Sequence, residues 1–260
     1  SVPIAVPGGR NGLQPSLTLQ YSTGMGNGPY GMGWGLSVPG VMRSSRKGMP
    51  RYDDSQDTFV LSGAEDLVPI PGGGEGVQRY RPRTEGLFAR IEHHQHTDTQ
   101  DPTVQYDYWK VWSKDGLISI YGHDDSPLTA GDAHAVIEDP ARPGNYFGWK
   151  LTRTEDPLGN HIIYRYERPP KQDRDTKEHL WEELRLKRID YVDYENGGST
   201  DYLLSVVFEY GSRPDPFSDH SAGFEQRTTQ RCEQIVIKTN SIAEGEQTSK
   251  RYELTYLDER

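Results

Sequence analysis

Period-two alternation of apolar and polar residues recurs along this chain, and no sustained helical period accompanies it. Leu17, Leu19 and Tyr21 alternate with Ser16, Thr18, Gln20 and Ser22, the pattern of a strand with one wet face. Tyr108-Trp109-Lys110-Val111-Trp112-Ser113 and Leu117-Ile118-Ser119-Ile120-Tyr121 flank Lys114-Asp115-Gly116, where glycine supplies the positive φ of a tight hairpin turn. The pattern repeats from Trp149 to Thr154, through the turn residues Asp156-Pro157-Leu158-Gly159-Asn160, to His161 to Tyr166. Further strands are predicted at Arg185 to Tyr194, Tyr202 to Tyr210, Gln234 to Thr239 and Arg251 to Leu257. Only Thr176 to Leu186 reads as helix, with Trp181 and Leu184 among charged residues, and it reads equally as a loop. Gly72-Gly73-Gly74 and the Pro/Asp-rich stretch Arg213 to Asp219 read as surface loops. The expected fold is therefore all-β: a large antiparallel, meandering sheet, sandwich or partial shell, with little helix. Neither loop is long enough to be a boundary, so a single domain over 1–260 is expected.

Composition narrows this picture. Tyr (16) outnumbers Phe (6), Gly (28) and Pro (18) are plentiful, and mean hydropathy is −0.84, a profile of many short strands joined by many turns. A net charge of −10 with scattered basic residues argues against nucleic acid and anionic membrane surfaces as partners. No apolar run approaches the roughly 20 residues of a membrane-spanning helix, so direct membrane insertion is not expected. Cys232 is the single cysteine and reads as a strand thiol, excluding an internal disulfide.

Five stretches of the chain carry candidate chemistry. Gly24-Met25-Gly26-Asn27-Gly28-Pro29-Tyr30-Gly31-Met32-Gly33-Trp34-Gly35-Leu36 has the glycine density of a phosphate loop, but Pro39 blocks the helix such a loop must open. It is read instead as a packing device, with glycines allowing close approach while alternate large side chains point one way into a core. His93-His94-Gln95-His96, with Asp98 and Asp101 nearby, looks metal-like but lacks a ligand set of fixed geometry. Glu244-Gly245-Glu246 matches the Glu-x-Glu pair of ADP-ribosyltransferases without their Ser-Thr-Ser strand, and reads as a solvated hairpin turn. Asp53-Asp54 and Asp124-Asp125 cannot act as facing acids, because adjacent strand residues point to opposite faces. Trp109, Trp112 and Trp149 would form a sugar-stacking platform if exposed, or core and cross-strand pairs if not. No Gly-x-Ser-x-Gly nucleophile elbow occurs. The expectation is a non-enzyme with no catalytic residues, no cofactor and no metal.

Ser1-Val2-Pro3-Ile4, Gly9-Arg10-Asn11-Gly12-Leu13-Gln14-Pro15, Leu17 to Tyr21, Gly26 to Trp34, Gly48-Met49-Pro50-Arg51-Tyr52, Asp57 to Pro69 and Arg83 to Ile91 together resemble the start of the SpvB-type domain. That family includes the B component of insecticidal toxin complexes and the N-terminal part of Salmonella virulence-plasmid B proteins. The resemblance implies a non-catalytic piece of a secreted toxin, made in the bacterial cytoplasm, with no signal peptide in these residues. It would form part of a β-sheet cocoon that encloses and helps deliver a toxic C-terminal effector. The implied partners are the β-propeller and Rhs-repeat regions of the same chain, a C component and a pore-forming A component. Asp156 to Tyr166 also resembles an Rhs/YD unit, so residues 149–260 are expected to form a hairpin strip continuous with such a shell. The alternatives are a carbohydrate- or surface-binding β-module and an accessory part of an ADP-ribosylating toxin.

Overall fold

The computed structural model describes residues 1–62, 66–129, 135–170, 180–241 and 244–257. Apart from a single 3-10 turn at Arg10–Gly12, the elements of the described residues are strands. β1 (Val2–Ile4), β2 (Leu17–Tyr21) and β3 (Trp34–Leu36) make a small antiparallel sheet. A meander follows in which each strand pairs with the next: β4 (Gly40–Arg43), β5 (Phe59–Leu61), β6 (Asp66–Ile70), β7 (Val77–Pro82), β8 (Arg90–Thr97), β9 (Gln105–Trp112) and β10 (Ile118–His123). β11 (Val136–Glu138) pairs with β12 (Tyr146–Glu155), which also pairs with β4 through Gly148 to Lys150 and with β10 through Leu151 to Glu155. Those pairings close β4 to β10 and β12 into a barrel-like ring. The sheet then leaves the ring through β13 (His161–Glu167), β14 (Arg185–Asn196), β15 (Ser199–Asp219), β16 (Gln226–Ser241) and β17 (Gly245–Glu253).

Turn chemistry explains the local folding. Gly116 turns β9 into β10 at φ 82° and Gly159 turns β12 into β13 at φ 84°. In the second turn the Asp156 carboxylate accepts the backbone N–H groups of Leu158 and Asn160, each at 2.9 Å. Alternation then sorts the faces. Phe59, Trp109 and Trp149 are fully buried, and the Phe59 ring lies 4.9 to 5.7 Å from Tyr80, His93, Trp109 and Trp149. Gly122 is needed beside this cluster: its φ is 97°, and a Cβ there would lie 2.5 Å from Trp149 Cδ1. The open sheet buries Ile189, Val206, Ile235 and Ile237 in the same core as Ile4, Leu17 and Leu19 of the small sheet. Ala5 N–H donates to Tyr252 Oη at 2.8 Å, and Tyr191 Oη donates to Pro7 O at 3.0 Å, fixing the N-terminal segment on the open sheet.

Three expectations need correction. Arg213 to Asp219 is not a loop but the end of β15, with an irregularity between Ser212 and Phe217 that accommodates the prolines. The last strand is Gly245–Glu253, six residues before the predicted start, because pairing with β16 carries a polar run that shows no alternation. Residues 176–179 of the predicted helix lie outside the described residues, and the remainder is not helical: Glu182 bridges Gln226, and Arg185 begins β14.

Trp149→Ala is expected to lower stability in urea unfolding by about 3–5 kcal/mol, as for large buried aromatics. Leu158→Ala, at a side chain 74 % exposed in a turn, should stay within about 0.5 kcal/mol of the unchanged chain.

Candidate functional site

The densest chemistry lies inside the ring. Arg43 on β4 is buried and faces Phe59 across the β4–β5 ladder. Its Nε donates to Tyr146 O at 2.8 Å, Nη1 to Asp57 Oδ2 at 2.9 Å and Nη2 to Asp54 Oδ1 at 2.6 Å. The guanidinium also lies 4.9 Å from the Phe59 ring centre. On β8, His93 stacks on Trp109 of β9, with centroids 4.3 Å apart and planes 5° from parallel. Its Nε2 is 2.9 Å from Asp107 Oδ1 and its Nδ1 is 3.5 Å from Asp54 Oδ2. Asp107 also accepts Trp149 Nε1 at 2.6 Å and Gln95 Nε2 at 2.8 Å. Burial pushes the Asp107 carboxyl up, but the hydrogen bonds from His93, Gln95 and Trp149 outweigh it and hold the group below the ordinary carboxylate range.

This arrangement suits a plug. The carboxylates face Arg43, His93 or indole N–H, and stacked rings fill the space where a substrate would need to enter. His93 has carboxylates at both ring nitrogens, so it has no Ser, Thr or Cys to activate.

The sequence candidates scatter. His94 stacks on Tyr108 and bonds Glu92 Oε2 at 3.1 Å, while His96 is exposed. Alternation therefore divides the tract between faces, and among the described residues no group of three His, Cys, Asp or Glu is placed to hold a metal ion. Asp98 accepts the backbone N–H groups of Gln100 and Asp101, and Asp101 accepts that of Thr103, so both shape their own turn. Glu244 stands at the β16–β17 turn, and Glu246 binds Lys238 Nζ at 2.7 Å and Arg188 Nη1 at 2.9 Å. Asp53 caps Ser55 while Asp54 turns to Arg43. Asp124 pairs with Arg153 at 3.2 Å, and Asp125 is exposed. Trp109 and Trp149 are core residues and Trp112 lies beneath Arg90 and Lys110, so no tryptophan platform forms. Cys232 is buried on β16, and burial pushes its thiol up to about 12. Sequence reading passed over Arg43, Asp57 and Asp107. Asp107 carried a readable signal: it alternates with Trp109 and Val111 on the apolar stripe of β9.

The glycine-rich segment is a series of turns and not a strand until Trp34. Gly26, Gly31 and Gly33 have φ of 70°, 92° and 76°. Close approach is real: a Cβ on Gly33 would lie 2.7 Å from the Tyr21 ring. The one-way orientation of the large residues is not, since Tyr30 and Trp34 pack against the core while Met25 and Met32 are exposed. Arg213 holds this cap by donating from Nη1 to Gly28 O at 3.2 Å and from Nη2 to Asn27 Oδ1 at 3.1 Å, and Cys232 N–H donates to Pro29 O at 2.7 Å.

Comparison with known proteins places this geometry. The family model described as SpvB, Salmonella virulence plasmid 65kDa B protein, matches residues 1–239. Mono(ADP-ribosyl)transferase SpvB of Salmonella choleraesuis (strain SC-B67) is 27 % identical over 91 % of this chain, which spans 46 % of that relative's length. The solved N-terminal domain of effector protein SpvB from Salmonella typhimurium strain LT2 superposes with a TM-score of 0.78 at 25 % identity, covering 96 % of this chain and 92 % of that one. A crystal structure of TcdB2-TccC3-TEV superposes with a TM-score of 0.81 at 25 % identity, covering 99 % of this chain and 14 % of that one.

Asp107→Asn should destabilise the chain by about 1–3 kcal/mol at neutral pH, the range for an unmet buried partner. Because the folded carboxyl titrates below its ordinary value of about 3.9, its contribution is fully present above that pH and lost as pH falls through the lowered value. Acid titration of unfolding should therefore show a shallower loss below about pH 4 in the variant than in the unchanged chain.

Proposed function

The chain belongs to the family of the Salmonella virulence plasmid 65kDa B protein, and from that premise we propose that it is a non-catalytic structural module of a secreted toxin. In this reading it is a single unit that contributes a section of β-sheet wall to a shell enclosing a toxic effector. The observation that carries the reading is the form of the sheet. One part closes on itself and is filled, while the other runs outward and ends at β17, whose residues are nearly all exposed and whose outer edge pairs with no strand among the described residues. An edge of that kind is satisfied by a neighbouring strand, and a wall built around an unfolded cargo needs its edges covered. The buried ion pairs, with Asp107 and Asp54 occupying the two ring nitrogens of His93, support a scaffold over a catalyst.

The likeness to TcdB2-TccC3 supports a toxin complex as the setting. There the module would adjoin the β-propeller and Rhs-repeat regions of its own chain and act with a C component and a pore-forming A component. The name of the Salmonella relative favours a second arrangement, in which the same module precedes an ADP-ribosylating part. Both arrangements assign the chemistry to residues outside this chain.

Hydrogen exchange tests the wall. Amides of β17 that point away from β16 should exchange rapidly in the isolated chain and become protected in the longer parent protein, and equal exchange in both would refute a covered edge. Incubation with labelled NAD and candidate target proteins should give no transfer by this chain. Turnover abolished by Glu246→Ala would refute the non-catalytic reading.

A further inference from the structure

Asparagine precedes glycine three times in this chain, at Asn11-Gly12, Asn27-Gly28 and Asn196-Gly197. A glycine has no side chain to shield its backbone nitrogen, so that nitrogen can close a five-membered ring on the carboxamide before it. The fold treats the three pairs differently. The Gly12 N–H is donated away from Asn11, to Gly9 O at 3.3 Å. Asn196 is held by the nitrogen of its amide, with Nδ2 donating to Asp201 Oδ2 at 2.7 Å. Among the described residues no cation bonds the side-chain oxygen of Asn11 or Asn196.

At Asn27 a nucleophile, an electrophile and a stabilising charge are already together. Gly28 N–H donates to Asn27 Oδ1 at 3.0 Å, which keeps the nitrogen against the carboxamide it would attack. Arg213 Nη2 donates to the same oxygen at 3.1 Å, where negative charge collects as the carbon becomes tetrahedral. Asn27 Nδ2 donates to Asp215 Oδ2 at 3.4 Å. Two donors on Oδ1 and an acceptor at Nδ2 fix which way the amide faces. The Arg213 side chain is only 3 % exposed and is aimed by a further bond from Nη1 to Gly28 O at 3.2 Å. Asn27, Arg213 and Asp215 line a cavity of about 700 Å³ whose walls include the exposed Met32 and Leu257, so solvent reaches the group.

We propose that Asn27 is a site of self-modification by deamidation, with Arg213 stabilising the transition state. The Gly28 nitrogen gives its proton to solvent hydroxide and bonds Asn27 Cγ. The Cγ–Nδ2 bond then breaks, and the side-chain nitrogen takes a proton from water and leaves as ammonia. Addition of one water to either carbonyl of the resulting succinimide reopens the ring, giving aspartate or isoaspartate at position 27. The new carboxylate meets a cation already in place, because Arg213 is buried while its carboxylate partner Asp215 is 61 % exposed. The site is independent of the shell reading, since it needs no other part of a toxin.

Peptide mapping by mass spectrometry tests it on the 260-residue chain, incubated at mildly alkaline pH both folded and in concentrated urea. All three asparagines are read in the same digests. The expected result is conversion of Asn27 about tenfold faster in the folded chain than in urea, the gain from one charge-assisted hydrogen bond to a developing charge. That gain should disappear in Arg213→Gln, and Asn11 and Asn196 should show none. An Asn27 rate no higher folded than in urea, an equal gain at all three asparagines, or an unchanged rate in Arg213→Gln would each overturn the assignment. Should Arg213→Gln fail to fold, the unchanged chain still decides the matter, through its folded-to-urea ratio at Asn27 set against that at Asn196.

Discussion

The architecture depends on one strand having two different neighbours at each of its ends. At Gly148 and Trp149, β12 lies between β4 and β11; at Arg153 to Glu155 it lies between β10 and β13. A ring with every strand paired has no edge from which a sheet could grow. The chain meets this constraint by changing partners partway along β12, so that the strand completes the ring and also starts the open sheet. The register shift between Ile120 and Tyr121 of β10 falls where that change occurs, and an irregularity there allows the extra twist. Trp149 lies inside the ring in the middle of this exchange and is held by its indole bond to Asp107.

That position explains why so much polarity is buried with so little chemistry. Arg43, His93 and the three aspartates would each be costly alone in an apolar ring, and together they supply one another's hydrogen-bond partners while orienting the aromatic rings around them. Hydrophobic side chains alone would fill the space, but a network whose donors each need a specific acceptor tolerates fewer registers. The polar groups inside the barrel tie β4, β8, β9 and β12 to one another through Arg43, His93, Asp107 and Trp149.

Most strands were legible because alternation and turn chemistry act locally: Lys114-Asp115-Gly116 and Asp156 to Asn160 turn where their residues demand it. Ring closure was not, since nothing near Ile118 or Trp149 reveals that strands far apart in sequence will pair. The glycine-rich segment was misread for a related reason. Spacing of glycine and large residues imitates a strand, whereas the positive φ at Gly26, Gly31 and Gly33 depends on what the cap rests upon, namely Arg213, Cys232 and Tyr256. His93 looked like part of a polar tract because its neighbours are polar; its partner Trp109 lies on another strand and assigns it to the core.

The passage from ring to open sheet is narrow in backbone bonding, resting on Arg153, Thr154 and Glu155 facing Ile163, Ile162 and His161. The β15–β16 ladder, by contrast, runs nearly the whole length of both strands. The seam between ring and outer sheet is therefore three residues wide in the backbone, and side chains join the two parts across it, as Tyr166 Oη does by donating to Leu151 O at 2.9 Å. One hydrophobic cluster nevertheless runs from Phe59, Trp109 and Trp149 of the ring through Ile162 and Tyr164 to Ile189, Val206 and Ile235 of the outer sheet, so the two parts share a core that their backbones barely join.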